Sequence, residues 1–286
     1  MKLSMLTGLW YVASKATVFE ALERAAALGF RTVDLHGVFH AGPAHLTPDE
    51  RRLLRRELDR LGLEARNYVL HARHNIPGAT PTEREEDLAY LREGLECASS
   101  WGVRQLMLNA GQWTVGVGRA DAWRRAAAFL QRVCEEAEPR GIYILQEPEP
   151  YVWFLVDDLA AAQQMQQDVA RPNFGLLADL GHMGLARESA ADLEPLSGAI
   201  LHAHFSDHEA NRHTNEVIGG GAVPTRDLLA GLRRMQLDAR LQAQGFDELA
   251  IAFELGVPGD DIADPDDWVR RSIAAVQTLD PGLGLR

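Results

Sequence analysis

Residues 141–184 read GIYILQEPEPYVWFLVDDLAAAQQMQQDVARPNFGLLADLGHMG. An apolar run, Ile142 to Leu145, leads to Glu147. Leu155 to Val169 then carries apolar residues at helical spacing, and a second run, Phe174 to Ala178, leads to Asp179. Strand, helix and strand in succession imply a parallel pair joined by a right-handed crossover. Each strand ends in a carboxylate, which is costly at the tip of a buried strand unless something compensates it.

The same alternation extends in both directions. Upstream, strands are read at residues 3–11, Phe30 to Leu35, Leu63 to His71 and Val103 to Asn109. Helices between them run from Thr17 to Leu28, Thr47 to Gly62, Thr82 to Trp101 and Ala120 to Pro139. Thr47-Pro48-Asp49-Glu50 is a helix start, with Thr47 as N-cap, Pro48 in the first turn and Glu50 completing a capping box. Downstream come a strand from Ala199 to Ser206, a helix from Pro224 to Gln244, a strand from Leu249 to Phe253 and a last helix from Asp264 to Leu279. About eight such units in 286 residues predict an α/β chain forming a single-domain (β/α)8 TIM barrel over residues 1–286. An open doubly wound sheet is the alternative, but no Gly-x-Gly-x-x-Gly follows the first strand.

Composition narrows the function. A net charge of −12 opposes a nucleic-acid binder, because phosphate contacts require a basic face. The most basic stretch, Arg51 to Arg56, is interleaved with Glu50, Glu57 and Asp59 and reads as a solvated helix face. Two cysteines, Cys97 and Cys134, are too few for a disulfide scaffold, and both lie in helical patterns as small buried hydrophobes. Lys2 and the apolar residues after it share the outline of a signal peptide, but Ser4, Thr7 and Gly8 dilute that stretch. No run approaches the roughly 18–20 apolar residues of a membrane span. The expectation is a cytoplasmic protein acting on a small molecule, without membrane or nucleic-acid partners, that can form a homo-oligomer.

The ten histidines sort by position. His36, His40 and His45 follow the second strand, His71 and His74 the third, and His182 the sixth; His202 and His204 lie in the seventh, with His208 and His213 after it. All fall at strand ends or in strand-to-helix loops, where a barrel builds its active site. Glu147, Asp179 and Glu254 arrive at the same end. Taken singly, each reads as an N-cap or a salt-bridged barrel carboxylate. Three carboxylates converging on one axis repel each other, and a divalent cation resolves the repulsion. With the imidazole of His204 they make a three-oxygen, one-nitrogen site suited to one divalent metal ion: Mn²⁺ first, with Mg²⁺, Co²⁺ or Zn²⁺ open.

These residues resemble the sugar phosphate isomerase/epimerase superfamily, the xylose isomerase-like barrels that include ketose 3-epimerases and inosose dehydratase-like enzymes. The likeness runs from Leu28-Gly29-Phe30 through Val33-Asp34-Leu35, where the family usually has Glu at the Asp34 position. It continues through Gln146-Glu147-Pro148, Asp179-Leu180-Gly181-His182-Met183, and His202-Ala203-His204-Phe205-Ser206-Asp207 to Ile218-Gly219-Gly220-Gly221 and Phe253-Glu254. The resemblance implies that Glu147, Asp179, His204 and Glu254 bind the metal and that His182 and Arg212 hold substrate oxygens. It also implies proton transfer beside a metal-bound carbonyl of a ketose or keto-polyol, with Glu147 and Glu254 as the catalytic acid/base pair. His202 is then a structural neighbour of His204. His71, Asn109 and Trp113, at the third and fourth strand ends, complete the candidate substrate-binding set. Trp10, Tyr151 and Trp153 add aromatic surface for a sugar face.

The same site also serves a lyase or dehydratase acting on a keto-sugar or inosose. A more distant alternative is a three-zinc phosphodiesterase like endonuclease IV, which Asn211-Arg212-His213 resembles in its Asp-Arg-His stretch. Against it, Asn109 stands where a fourth-strand histidine ligand is expected, and Asn211 replaces the aspartate.

Overall fold

The computed structural model describes residues 1–285. Eight parallel strands close into a barrel: β1 (Lys2–Leu6), β2 (Thr32–His36), β3 (Glu64–Val69), β4 (Gln105–Met107), β5 (Tyr143–Gln146), β6 (Phe174–Asp179), β7 (Ile200–Phe205) and β10 (Ala250–Phe253). Between the last two lies an antiparallel hairpin, β8 (Asp207–Glu209) and β9 (Arg212–Glu216). Around the barrel the order is β1, β10, β7, β6, β5, β4, β3, β2, with β2 closing on β1. The TIM-barrel reading holds.

The helices begin where their caps dictate. Thr17, Thr47 and Thr80 each accept a hydrogen bond from the backbone N–H of Glu20, Glu50 or Glu83, and each glutamate returns to the cap backbone. Those boxes start the helices Val18–Ala27, Pro48–Leu61 and Pro81–Trp101. Gly62 and Gly102 end the latter two in the left-handed conformation. Buried helix residues such as Leu22, Leu54, Leu91, Leu130, Met165 and Val269 join buried strand residues such as Leu3, Val33, Leu106, Ile144 and Phe253 in one apolar cluster. Cys97 and Cys134 are buried within it, and burial pushes their thiols up to about 11 and about 12, so neither is a reactive thiolate.

Two registers matter for the site. Shifts between Val33 and Asp34 on β2 and between Leu176 and Leu177 on β6 re-aim the strand ends. Beyond the second, Asp179 pairs with His204, which pairs in turn with Ala252 on β10.

Three departures from the sequence reading have local causes. The first strand stops at Leu6 rather than Tyr11, and Gly8–Ser14 is a helix burying Leu9, Trp10 and Val12. Gly8 permits this turn because the His36 ring lies 2.6 Å from where a Cβ would stand. The helix read across Pro224–Gln244 is two, Thr225–Arg234 and Asp238–Ala243, broken where Gln236 takes φ +49°. That break lets Leu241 bury its side chain while Arg240 reaches the Ile200 carbonyl. The β8–β9 hairpin and a π-helical turn, Gly37–Ala41, arise from tertiary contacts that carry no periodicity. Among the described residues no helix is long and apolar enough to cross a membrane.

Candidate active site and metal centre

Glu147 follows β5, Asp179 ends β6, His204 lies on β7 and Glu254 follows β10. Each offers one ligand atom, and these four atoms lie within 4.8 Å of one another. His204 Nδ1 is 3.1 Å from Glu147 Oε1 and 2.8 Å from Glu254 Oε2. Asp179 divides its oxygens. Oδ1 caps the helix Leu180–Ala186, accepting from the N–H groups of Gly181 at 2.6 Å and His182 at 2.9 Å, whereas buried Oδ2 has no hydrogen-bond partner. A buried carboxylate oxygen without a donor is costly unless a cation meets it. The N-cap and ligand readings of Asp179 are thus compatible, one per oxygen. Three carboxylates, one imidazole and this orphaned oxygen fit a divalent ion.

Beneath the cluster lies a layer that orients it. Asp34 Oδ2 is 2.6 Å from His202 Nε2, 3.3 Å from His204 Nε2 and 3.1 Å from Asn67 Nδ2, and Ser4 donates to Oδ1 at 3.0 Å. Burial alone raises a carboxyl, but the charges and hydrogen bonds of His202 and His204 outweigh it and hold Asp34 well below its usual range. With Nε2 turned to Asp34, His204 presents Nδ1 to the ligand cluster, the carboxylate–histidine arrangement of metal sites. Without an ion, the Glu147, Asp34 and Glu254 contacts overcome burial and raise His204 well above the usual histidine range.

A second chain reaches Asp179. His208 Nδ1 accepts the N–H groups of Thr214 at 3.2 Å and Asn215 at 3.1 Å, which fixes the proton on Nε2. That N–H donates to Ser206 Oγ at 3.1 Å, and Ser206 donates to Asp179 Oδ1 at 3.3 Å. His182, His208 and His213 also gather within 4.8 Å, a second grouping of possible ligand atoms. Both nitrogens of His208 are already engaged, so this ring has no lone pair for an ion.

The remaining candidates divide. His182 lies inside the site, its Nδ1 donating to the Pro148 carbonyl and its Nε2 2.9 Å from His213 Nε2. Arg212 does not join it: its side chain is 69% exposed and pairs with Glu209 across the hairpin. Strand alternation on β9 turns the next residue, His213, inward instead. His71 and Asn109 line a 320 Å³ cavity with Asn75, Gln112 and Glu149. Trp113 does not line it: the side chain is 42% exposed, with Nε1 donating to the Val117 carbonyl. A second cavity of 330 Å³ is lined by Glu254, His36, His213 and Tyr151 together with apolar side chains.

Glu149 escaped the sequence reading. Its Oε1 is 3.5 Å from Asn109 Nδ2. Burial, with the charges of Glu147, Glu254 and Asp179 and against that of His182, pushes its carboxyl up to about 7. The signal was present: in Glu147-Pro148-Glu149, an extended backbone puts residues i and i+2 on one side. His40 is structural, with Nδ1 donating to the Ala16 carbonyl and Nε2 accepting from Thr7.

A family profile described as xylose isomerase-like TIM barrel matches residues 22–278. No curated protein matches significantly. Among solved structures, the IolI protein with a bound zinc atom shares 16% identity over 98% of both chains with a TM-score of 0.80. D-psicose 3-epimerase from Clostridium cellulolyticum H10 with D-tagatose shares 18% identity, covering 99% of this chain and 100% of that one, TM-score 0.80. The probable 3-DHS dehydratase AsbF from Bacillus anthracis shares 16% over 98% of both chains, TM-score 0.74. At these identities the likeness is one of fold.

Proposed function

The chain belongs to the xylose isomerase-like TIM-barrel family, and from that premise we propose that it is a divalent-metal-dependent isomerase or epimerase of a ketose or keto-polyol. The observation that carries this reading is the convergence of Glu147, Asp179, His204 and Glu254 ligand atoms within 4.8 Å, with Asp179 Oδ2 otherwise unpartnered. These four residues would hold the ion. Bound there, a divalent cation supplies Lewis-acid stabilisation of negative charge developing on a substrate carbonyl oxygen.

The chain's own groups supply the rest. Glu147 and Glu254 approach His204 Nδ1 from β5 and β10, strands separated by β6 and β7. One carboxylate removes the proton from the carbon beside the carbonyl and the other returns one from across the substrate plane. His182, fixed by the Pro148 carbonyl, holds a substrate oxygen, and His213 takes the place first assigned to Arg212. His71 and Asn109 bind further hydroxyls, and Trp113, exposed and next in the chain to Gln112 of that cavity, remains the candidate ring for a sugar face. Manganese is the first metal to test, with magnesium, cobalt and zinc beside it.

A second reading, elimination of a hydroxyl β to the carbonyl, draws on Glu149, an additional carboxyl at the cavity able to protonate a departing hydroxyl. One experiment tests both. Metal-loaded protein is incubated with a ketose panel in D2O and followed by NMR. Deuterium entering a carbon beside the carbonyl supports proton transfer, and whether the product is an epimer or an enone separates the readings. Glu147→Gln and Glu254→Gln should each slow exchange about 100-fold or more with metal still bound. Near-wild-type exchange in either loaded variant overturns the acid/base assignment.

A further inference from the structure

We propose that the tips of two strand-to-helix loops, one around Val115 and the other around Val152 and Trp153, form an interface on which a second copy of this chain docks. The inference stands apart from the proposed activity. Among the described residues five large apolar side chains are exposed, and four of them, Trp113, Val115, Val152 and Trp153, lie on these two loops. Val115 is 87% exposed, Val152 76% and Trp153 48%. The loops are tied together. Gln112 and Phe154 form an antiparallel bridge, and the Trp113 N–H donates to the Trp153 carbonyl at 2.6 Å. Continued by one residue, that pairing brings Val152 beside Thr114 and Val115, so the two valines share one tip. Apolar side chains exposed singly are ordinary on a protein surface, whereas a contiguous patch of them marks an interaction site.

The patch is also free of charge. Residues 105–118 and 150–156 contain no acidic or basic side chain, although 24% of the chain is charged. The first charges on the helix side of the two loops, Arg119 and Asp157, lie 3.7 Å apart and pair with each other. An uncharged apolar centre bordered by satisfied polar groups is the anatomy of a protein–protein interface, in which aromatic side chains are enriched and charges are kept to the rim.

Charge also selects the occupant. Two copies carrying a net −12 each repel where their charged faces meet, and a neutral face is where they approach at least cost. An anionic lipid surface is repelled by the same net charge. A partner of opposite charge gains no electrostatic complementarity from a patch that bears none. A second copy needs none: an isologous contact sets the patch against its own image, covers it on both copies and closes as a dimer. The same loops supply Gln112 and Phe154 to the 320 Å³ cavity, so such a dimer would hold that wall of the cavity in place.

The test is sedimentation velocity of the full chain over about 1–100 µM, with Val115→Asp, Val115→Lys and Val152→Asp beside the wild type. Both valines are exposed, and thermal melting first checks that each variant folds. The expected result is a wild-type dimer whose Kd rises about 100-fold or more in all three variants, because a charge of either sign would be buried there without a partner. Raising salt from about 50 to 500 mM should tighten the wild-type dimer several-fold by screening the like charges of the two copies. A wild type that stays monomeric throughout overturns the proposal, including one that sediments instead with phosphatidylcholine vesicles, for which the patch would be a lipid contact. A dimer that survives in the folded variants of either loop overturns its placement on this patch. A dimer that weakens as salt rises also overturns it, since charge pairs and not the neutral tips would then hold the copies together.

Discussion

Asp34 Oδ2 lies 2.6 Å from His202 Nε2 across the barrel interior, joining β2 to β7, strands that do not pair. The same oxygen is 3.3 Å from His204 Nε2, so one carboxylate sets both rings. Asp34→Asn is expected to weaken metal binding by roughly 10–100-fold, the usual effect of losing an outer-shell partner. Competition with a fluorescent chelator checks it. An unchanged metal Kd in a variant that melts like the wild type would remove Asp34 from the metal site. Asp34→Glu, the residue usual at this place in the resembled family, should retain more of the affinity.

The three carboxylates were legible because each follows an apolar run whose direction a parallel barrel fixes, and His204 because it lies near the end of the seventh strand. Strand count and strand ends together bring Glu147, Asp179, His204 and Glu254 to one mouth. What escaped lies in irregular backbone. The inward turn of His213 in place of Arg212 depends on the β8–β9 hairpin, whose register shifts between Asp207 and Glu209. Phe39 is placed by the π-turn Gly37–Ala41, and the helix Gly8–Ser14 is tied to a distant part of the chain by Trp10, whose Nε1 donates to Asp266 at 2.7 Å. Hydrophobic periodicity reports regular elements, and these features are set by contacts distant in sequence.

Gly181 tests the chain that holds Asp179. A Cβ there would press on the Ser206 hydroxyl and stand 2.5 Å from His208 Nε2. Gly181→Ala should destabilise the fold by about 1–3 kcal/mol through overpacking and reduce metal affinity with it. Gly198→Ala is the control: a Cβ there meets nothing within 4 Å, and φ is ordinary. That change should lie within about 0.5 kcal/mol of wild type. Urea titration and metal titration of both variants give the comparison. Equal behaviour of the two would show that the Gly181 contact is not tight.

Acid sensitivity should have an identifiable share from His40. Its Nε2 accepts from Thr7, whose oxygen is occupied by the His36 N–H at 3.0 Å, so the buried ring is neutral. Burial lowers it to about 4, the Ala16 carbonyl opposing. Above the unfolded value near 6.5 the ring is neutral in both states, and its stabilising contribution is complete. As pH falls towards 4, the unfolded chain gains a proton that the folded one refuses, and stability drops by up to about 1.4 kcal/mol per unit. Burial moves His36 and His71 the same way, to about 3 and about 4, whereas Glu188, raised to about 7 by burial, acts in the opposite sense. A difference measurement therefore isolates His40. The stability gap between wild type and His40→Gln should narrow by about 2 kcal/mol between pH 7.5 and pH 5. A gap that does not change with pH would mean that His40 is not held neutral.

Removal of metal should lower stability without unfolding the barrel. In the metal-free state a protonated His204 bridges Glu147 and Glu254 and partly relieves the repulsion among the three carboxylates. Because these contacts raise His204 in the folded state, that relief is complete below its unfolded value near 6.5 and is lost as pH rises through the folded value. Protons also compete with the ion for the same ligands. The stabilisation by Mn²⁺ over chelator-treated protein should therefore be larger at pH 8 than at pH 6. At a free concentration of 100 times Kd it should reach about 2.7 kcal/mol, or about 5 °C in Tm for a chain of this size. Scanning calorimetry with EDTA, then with manganese, magnesium, cobalt or zinc restored, measures it. Identical melting with and without each ion at pH 8 would leave Asp179 Oδ2 without the partner its burial demands and would end the case for a metal centre.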